Sequence, residues 1–478
     1  MGSQYIQLNL SSTTLACLMT LTLAACGGGG SGTNPTVSKT DDSSTLSAAA
    51  TSKLTITTTT CDGGTQGTAY AGCTVHATGG TPPYTYGVSQ AGKYAPLPEG
   101  ITMDSATGAV TSSKITGQGY YGTEFVVTDS ASNAAYQVVN FAINGDNKYL
   151  ATIFPANSIF HHRVDAATTG LPVDQSIAAP IASAYLKSPL QHFFGNEYSY
   201  PWPYGTPTMQ VAATQGMVPV DTLLYNHYFT TGPIPWDAPV EGTKYSTGDR
   251  HVIVYVAAGT DTGPALYEMY QGAYTGSNGT GSWSDGSNAL WTDVSTSNAL
   301  PTLGTGTTNA AGLADGPLLI NADEVIGTGT PTAPNGIIKH TVRVTLPSML
   351  DNWVWPATAT SGVGSCAGAA RYSRILQSTP PATCTTTGPA GEIYRLKAGT
   401  AMPACVAKSP QSAIIIAALK DYGMILGDNG TAGQLIGTPD ARWNDADLDC
   451  LSSLTLAEFE PVNVSSLIVS LESGQTSH

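Results

Sequence analysis

The chain has 478 residues, enough for two or three domains that each bury a core. Only 11% of the residues are charged and the net charge is −15, which excludes a nucleic-acid partner, because phosphate binding needs clustered Lys and Arg. Gly, Ser and Thr fill the remainder, a bias towards β structure with long loops.

The first element is a targeting segment over residues 1–26. Leu15 to Ala25, LACLMTLTLAA, is an apolar run of signal-peptide length, too short to cross a bilayer as a helix. It ends in Leu23-Ala24-Ala25-Cys26, which resembles a bacterial lipobox, although no Lys or Arg precedes it. The resemblance implies that Cys26 is lipidated and that the chain is exported, with its membrane contact made through the lipid. Gly after the Cys points to the outer membrane or cell surface. Residues 27–52 open with GGGGSG and hold almost nothing apolar, so a disordered linker is expected there.

Residues 53–146 alternate over short runs, LTITTT and TEFVVTD, between turn clusters, the pattern of a small β-sandwich. GGTPPYTYGV (Gly79 to Val88), LPEGITMDSATGAV (Leu97 to Val110) and GYYGTEFVVTDSAS (Gly119 to Ser132) together resemble the Ig-like, cadherin-like repeat of bacterial surface proteins. The resemblance implies a spacer or adhesive module. Asp104, Asp129 and Asp146 read as turn residues; Asp104 to Gly108 suits a turn closed by an Asx side chain and a Gly at positive φ.

Residues 147–470 form the larger region, with 471–478 expected as a disordered tail. HVIVYVA (His251 to Ala257), GIIKHTVRVTL (Gly336 to Leu346) and EIYRLKA (Glu392 to Ala398) read as strands, and Tyr274 to Ser287 as a long Gly/Thr loop. One helix is predicted from Ser409 as cap and Pro410 in the first turn. Ile415, Ala418, Leu419 and Tyr422 share its inner face, and Gly423 ends it. After it, Met424 to Leu426 reads as a buried strand and Asp428-Asn429-Gly430 as a tight turn. The expected fold class is mainly β: an Ig-like sandwich followed by a larger jelly-roll-like β-sandwich domain with one or two helices. GDRHVIVY, LYEMY, ADEV, GIIKHTVRVT, YRLKA, ALKDYGMILGDNG and GTPDARWND resemble a group of secreted bacterial proteins. Where that group carries an Arg, this chain reads ADGPLLINADEV, without it. The resemblance implies a shared fold and export, and no activity.

Cys61, Cys73, Cys366, Cys384, Cys405 and Cys450 form an even set in an exported chain, which suggests disulfides. Proximity favours Cys61–Cys73, Cys366–Cys384 and Cys405–Cys450. No CxxC, phosphate loop or GxSxG elbow is present, so no cofactor and no metal is expected.

Three constellations can carry chemistry. Asp323, Glu324 and His340, with Arg343 nearby, can form a general base pair. On an extended strand, His340 and Arg343 would point to opposite faces. Acids read as turn residues, Asp249, Glu268, Asp428, Asp440 and Asp445, include the separated carboxylates that glycoside hydrolysis needs; Asp428 is the one singled out. Aromatic rings in Pro-bearing loops, Trp202, Tyr204 and Trp236, suit stacking on sugar faces, whereas Trp353 and Trp355 suit the core. The leading expectation is a lipid-anchored surface protein binding an extracellular glycan. The alternatives are a polysaccharide hydrolase or lyase and a non-catalytic adhesion or envelope protein.

Overall fold

The computed structural model describes residues 52–89, 93–175, 181–196, 202–225, 227–244, 246–277, 279–302, 307–350, 353–360 and 388–477. The fold is mainly β, with several sheets and few helices. Cys26, Cys366 and Cys384 lie outside the described residues, as does the linker up to residue 51.

The Ig-like part pairs a four-stranded sheet with a three-stranded one. Its longest pair, Gly119–Thr128 and Ala134–Asn144, is antiparallel throughout. Alternation does the work: Tyr121, Phe125, Val127, Val139, Phe141 and Ile143 point inward and are buried. Asp104 accepts hydrogen bonds from the N–H groups of Ala106 and Thr107, and Gly108 has φ +73°, so this acid closes its turn. Asp129 is likewise saturated by Thr81, Ala131 and Asn133. A disulfide joins Cys61 to Cys73.

The larger region holds a mixed six-stranded sheet and two four-stranded sheets. Residues 273–285 correct one expectation. Instead of a loop they form a hairpin, Ala273–Ser277 against Thr280–Asp285. Gly276 and Gly281 permit it, since a Cβ on Gly276 would fall 2.3 Å from the Thr280 carbonyl oxygen. Trp283 then turns inward against Tyr274. The tail is a second correction. The Glu472, Gly474 and Thr476 backbones hydrogen-bond to Leu300, Ile159 and Asn157, and Trp355 donates to the Ser473 carbonyl at 2.9 Å.

The predicted helix spans Pro410–Asp421 and buries Ile415, Ile416, Ala418 and Leu419. Gly423, at φ +70°, ends it. Its cap differs from the expectation. Ser409 occupies the N-cap position without a side-chain cap; Asp447 receives the N–H groups of Gln411 and Ser412 at 3.0 and 2.9 Å. Cys405 is joined to Cys450, which ties this segment to the same region.

Thr51 to His478 form one compact unit. The Ig-like part, expected as a spacer, is fastened by buried polar contacts. Gln66 and Gln118 both donate to the Thr208 carbonyl, and the Gly145 N–H donates to Asp440 at 2.8 Å. A Cβ on Gly119 would meet Pro439 at 2.8 Å and Pro203 at 3.0 Å, so the backbones approach closely.

Candidate functional site

The central strand of the six-stranded sheet, Val342–Leu346, sets the site. Arg343 and Thr345 share one face by the two-residue period. Thr345 lies opposite Asp428 on one neighbouring strand and Gln434 on the other. Asp428 is therefore not on a tight turn; it belongs to the Met424–Asn429 strand. A bulge explains its position. Val344 pairs with Leu426 and Thr345 with Asp428, so Gly427 is the extra residue. In unbulged register Gly427 would stand opposite Thr345 and Asp428 opposite Leu346, on the core-facing side. The shift of one moves it to the Arg343 side. Glycine is required at the bulge, because a Cβ would lie 2.8 Å from Arg343 Cγ.

These residues floor a cleft of about 490 Å³. Phe193, Trp202 and Tyr204 form an aromatic wall, with the Phe193 and Tyr204 rings edge-to-face at 4.7 Å. Glu241, Ser246 and Asp249 complete the rim.

A buried charged network supports the floor. Arg343 forms an ion pair with Asp315, which also accepts from Asn309 at 3.0 Å. The N–H groups of Asp315 and Gly316 donate to Glu268 at 2.9 and 2.8 Å. Glu268, expected on a turn, is inside the Ala265–Tyr270 strand and wholly buried. Burial, reinforced by Asp315, pushes its carboxyl up to about 8. His251 is also buried, with Nδ1 3.7 Å from Asp315 and no hydrogen-bond partner for either ring nitrogen among the described residues. Its backbone N–H donates to Glu241 at 3.3 Å, and Thr206 holds the other Glu241 oxygen at 2.9 Å. Burial pushes the Asp428 carboxyl up to about 6, although Arg343 pulls it down.

The remaining predicted residues are elsewhere. Asp323 binds Arg442 at 2.9 Å and accepts the Asn147 N–H at 2.6 Å. Glu324 and His340 do meet, at 3.1 Å. Burial opposes a charged imidazole, but Glu324 overrides it and holds the His340 pKa above its ordinary value. Asp323, Glu324 and His340 are not among the cleft's lining residues. Arg343 turns to Asp315 rather than to Glu324. Asp440 is buried against Arg442, and Asp445 receives the Asn196 N–H. Trp202 and Tyr204 line the cleft, while Trp236 is exposed beside Gly279, away from it. Trp353 and Trp355 are in the core.

Sequence reasoning missed Asp315, Glu241 and His251. The available signal was an ionisable residue inside an apolar strand, Glu268 in LYEMY and His251 opening HVIVYV. Asp315, in a loop, offered none.

Compared with family models and with curated proteins, the chain matches none. Among solved structures it is similar to mouse cadherin-23 EC22-24, at 15% identity and a TM-score of 0.16, over 20% of this chain and 31% of that one. It is also similar to protocadherin gamma B7 extracellular cadherin domains 1-4, at 12% identity and a TM-score of 0.17, over 20% and 25% of the two chains. The chain thus spans about a quarter to a third of these structures, and the sandwich described above rests on its own strand pairing.

Proposed function

We propose that this is an exported, lipid-anchored surface protein that binds extracellular polysaccharide in the cleft beside Tyr204. The observation that carries the reading is the wall of Phe193, Trp202 and Tyr204 facing a polar sheet floor of Arg343, Thr345, Asp428 and Gln434. Flat rings take the C–H faces of sugars, and fixed polar groups take their hydroxyls. Affinity electrophoresis through gels containing a panel of polysaccharides tests it. Tyr204→Ala should weaken binding about tenfold or more, the loss typical of a central aromatic anchor. Unchanged mobility with an intact melting transition would remove the cleft from consideration.

The address belongs to the same proposal, supported by LAAC and the Gly-rich stretch after it. Cells fed labelled palmitate should label the parent, and Cys26→Ser should carry no label.

A second reading is polysaccharide hydrolysis, favoured by one observation: a cleft carboxyl, Asp428, pushed to about 6, a value suited to proton transfer near neutral pH. Mass spectrometry of the same incubations would show soluble products, lost in Asp428→Asn. Absence of products from the parent would dismiss it.

A further inference from the structure

We propose that the ligand of this cleft is an extended polysaccharide chain, whose units run out of the cleft past Asp249 onto Tyr270 and the loop Leu223 to Tyr225. This rests on the glycan reading above and deepens it, because it makes chain length part of what is recognised.

Leu223, Leu224 and Tyr225 are 64%, 59% and 69% exposed. Consecutive large apolar side chains left in water form the kind of patch that marks a contact surface. The loop is held in place: the Leu223 N–H donates to the Asp285 carbonyl and the Tyr225 N–H to the Gly286 carbonyl, both at 2.8 Å. Its side chains are therefore presented from a fixed backbone.

What covers them follows from where they are. The Gly286 N–H donates to the Tyr270 carbonyl at 2.7 Å, and the Gln271 N–H donates to the carbonyl of Asp249, on the cleft rim, at 2.7 Å. Side chains bridge the same gap. A Cβ on Gly286 would meet Tyr270 Cδ1 at 3.1 Å and Leu224 Cδ1 at 3.4 Å, which brings the leucine beside the ring. By the two-residue period Tyr270 shares the Glu268 face of its strand, and its ring lies 5.8 Å from that of His251. Burial, then Asp249, pushes the Tyr270 phenol up, and Tyr225 and Asp428 add to this. The ring thus stands close to both the cleft floor and the loop. Tyr270 and Tyr225 add flat rings to those of Trp202 and Tyr204, which suits the C–H faces of successive sugars. The exposed acids beside the loop, Asp221 and Asp249, and the net charge of −15 oppose an anionic lipid surface as the occupant.

The test runs the full chain through gels of xylan, galactomannan, carboxymethyl cellulose and pectin. Dimers and hexamers cut from each retained polymer are then titrated by calorimetry. The hexamer should bind about tenfold or more tightly than the dimer. Tyr225 is exposed, so Tyr225→Ala should fold; it should weaken hexamer binding severalfold and leave dimer affinity and the melting transition unchanged. Tyr204→Ala should weaken both. A hexamer no tighter than the dimer would overturn the extension and leave the glycan reading standing. So would a Tyr225→Ala variant that keeps its hexamer affinity while Tyr204→Ala loses it. If Tyr225→Ala instead abolished sedimentation with phosphatidylglycerol vesicles, or self-association in the ultracentrifuge, at unchanged hexamer affinity, the loop would belong to a membrane or to a second copy and the extension would fall. Retention by none of the gels would overturn both readings.

Discussion

Replacing Arg442 by Met should cost about 3–5 kcal/mol of stability, the loss expected when one partner of a buried ion pair is removed. Arg442 donates two hydrogen bonds to Asp440, Nε to Oδ1 at 2.8 Å and Nη2 to Oδ2 at 2.6 Å. It also reaches Asp323 at 2.9 Å and the Gly145 carbonyl at 3.0 Å. Asp440 is wholly buried. Burial pushes its carboxyl up, and Arg442 pulls it back. With Arg442 gone, that charge has only backbone N–H groups to answer it. Urea titration should show a lowered midpoint, and adding Asp440→Asn to Arg442→Met should recover much of the loss. A change under about 1 kcal/mol would mean that water already reaches the pair.

Glu268→Gln should change how stability depends on pH. In the folded chain this carboxyl keeps its proton to about pH 8, and its ordinary value is 4.5. Between those values the unfolded chain has released a proton that the native chain retains. Stability therefore declines as pH rises through this window, by on the order of 1.4 kcal/mol per pH unit. Asp315, Arg343, His251, Asp428 and Thr308 belong to the same buried network, so the effect arises there. Gln keeps an oxygen for the Asp315 and Gly316 N–H groups and has nothing to ionise. The variant should show a flatter profile from pH 5 to 8 and should exceed the parent at pH 8. An unchanged slope would mean that Glu268 is ionised in the native state.

Local signals carried the helix and the Ig-like strands, because their causes lie within a few residues. Ile415, Ala418 and Leu419 recur at helical spacing, and Tyr121, Phe125 and Val127 at strand spacing. The helix cap was not legible, because Asp447 arrives from 35 residues away for Ser412. The site was legible in part. Tyr204 and Asp428 were singled out, yet DNG described a turn equally well. Only the partner strand decides the matter, since the bulge is a property of register between Val344 and Thr345. The hairpin at residues 273–285 was hidden by its glycines, which signal loops when isolated and close packing when paired.

The docking of the Ig-like part has a consequence for anyone wishing to shorten the chain. Cutting at Asn147 would strip Gln66 and Gln118 from the Thr208 carbonyl and remove the Gly145 N–H from Asp440. It would also uncover Trp202, which packs against the core of the Ig-like part while lining the cleft. The fragment would be left with raw apolar and polar surface next to the very groove under study. The shortest sensible excision begins ahead of Leu54, and a grafted replacement module would need a glycine where Gly119 meets Pro203.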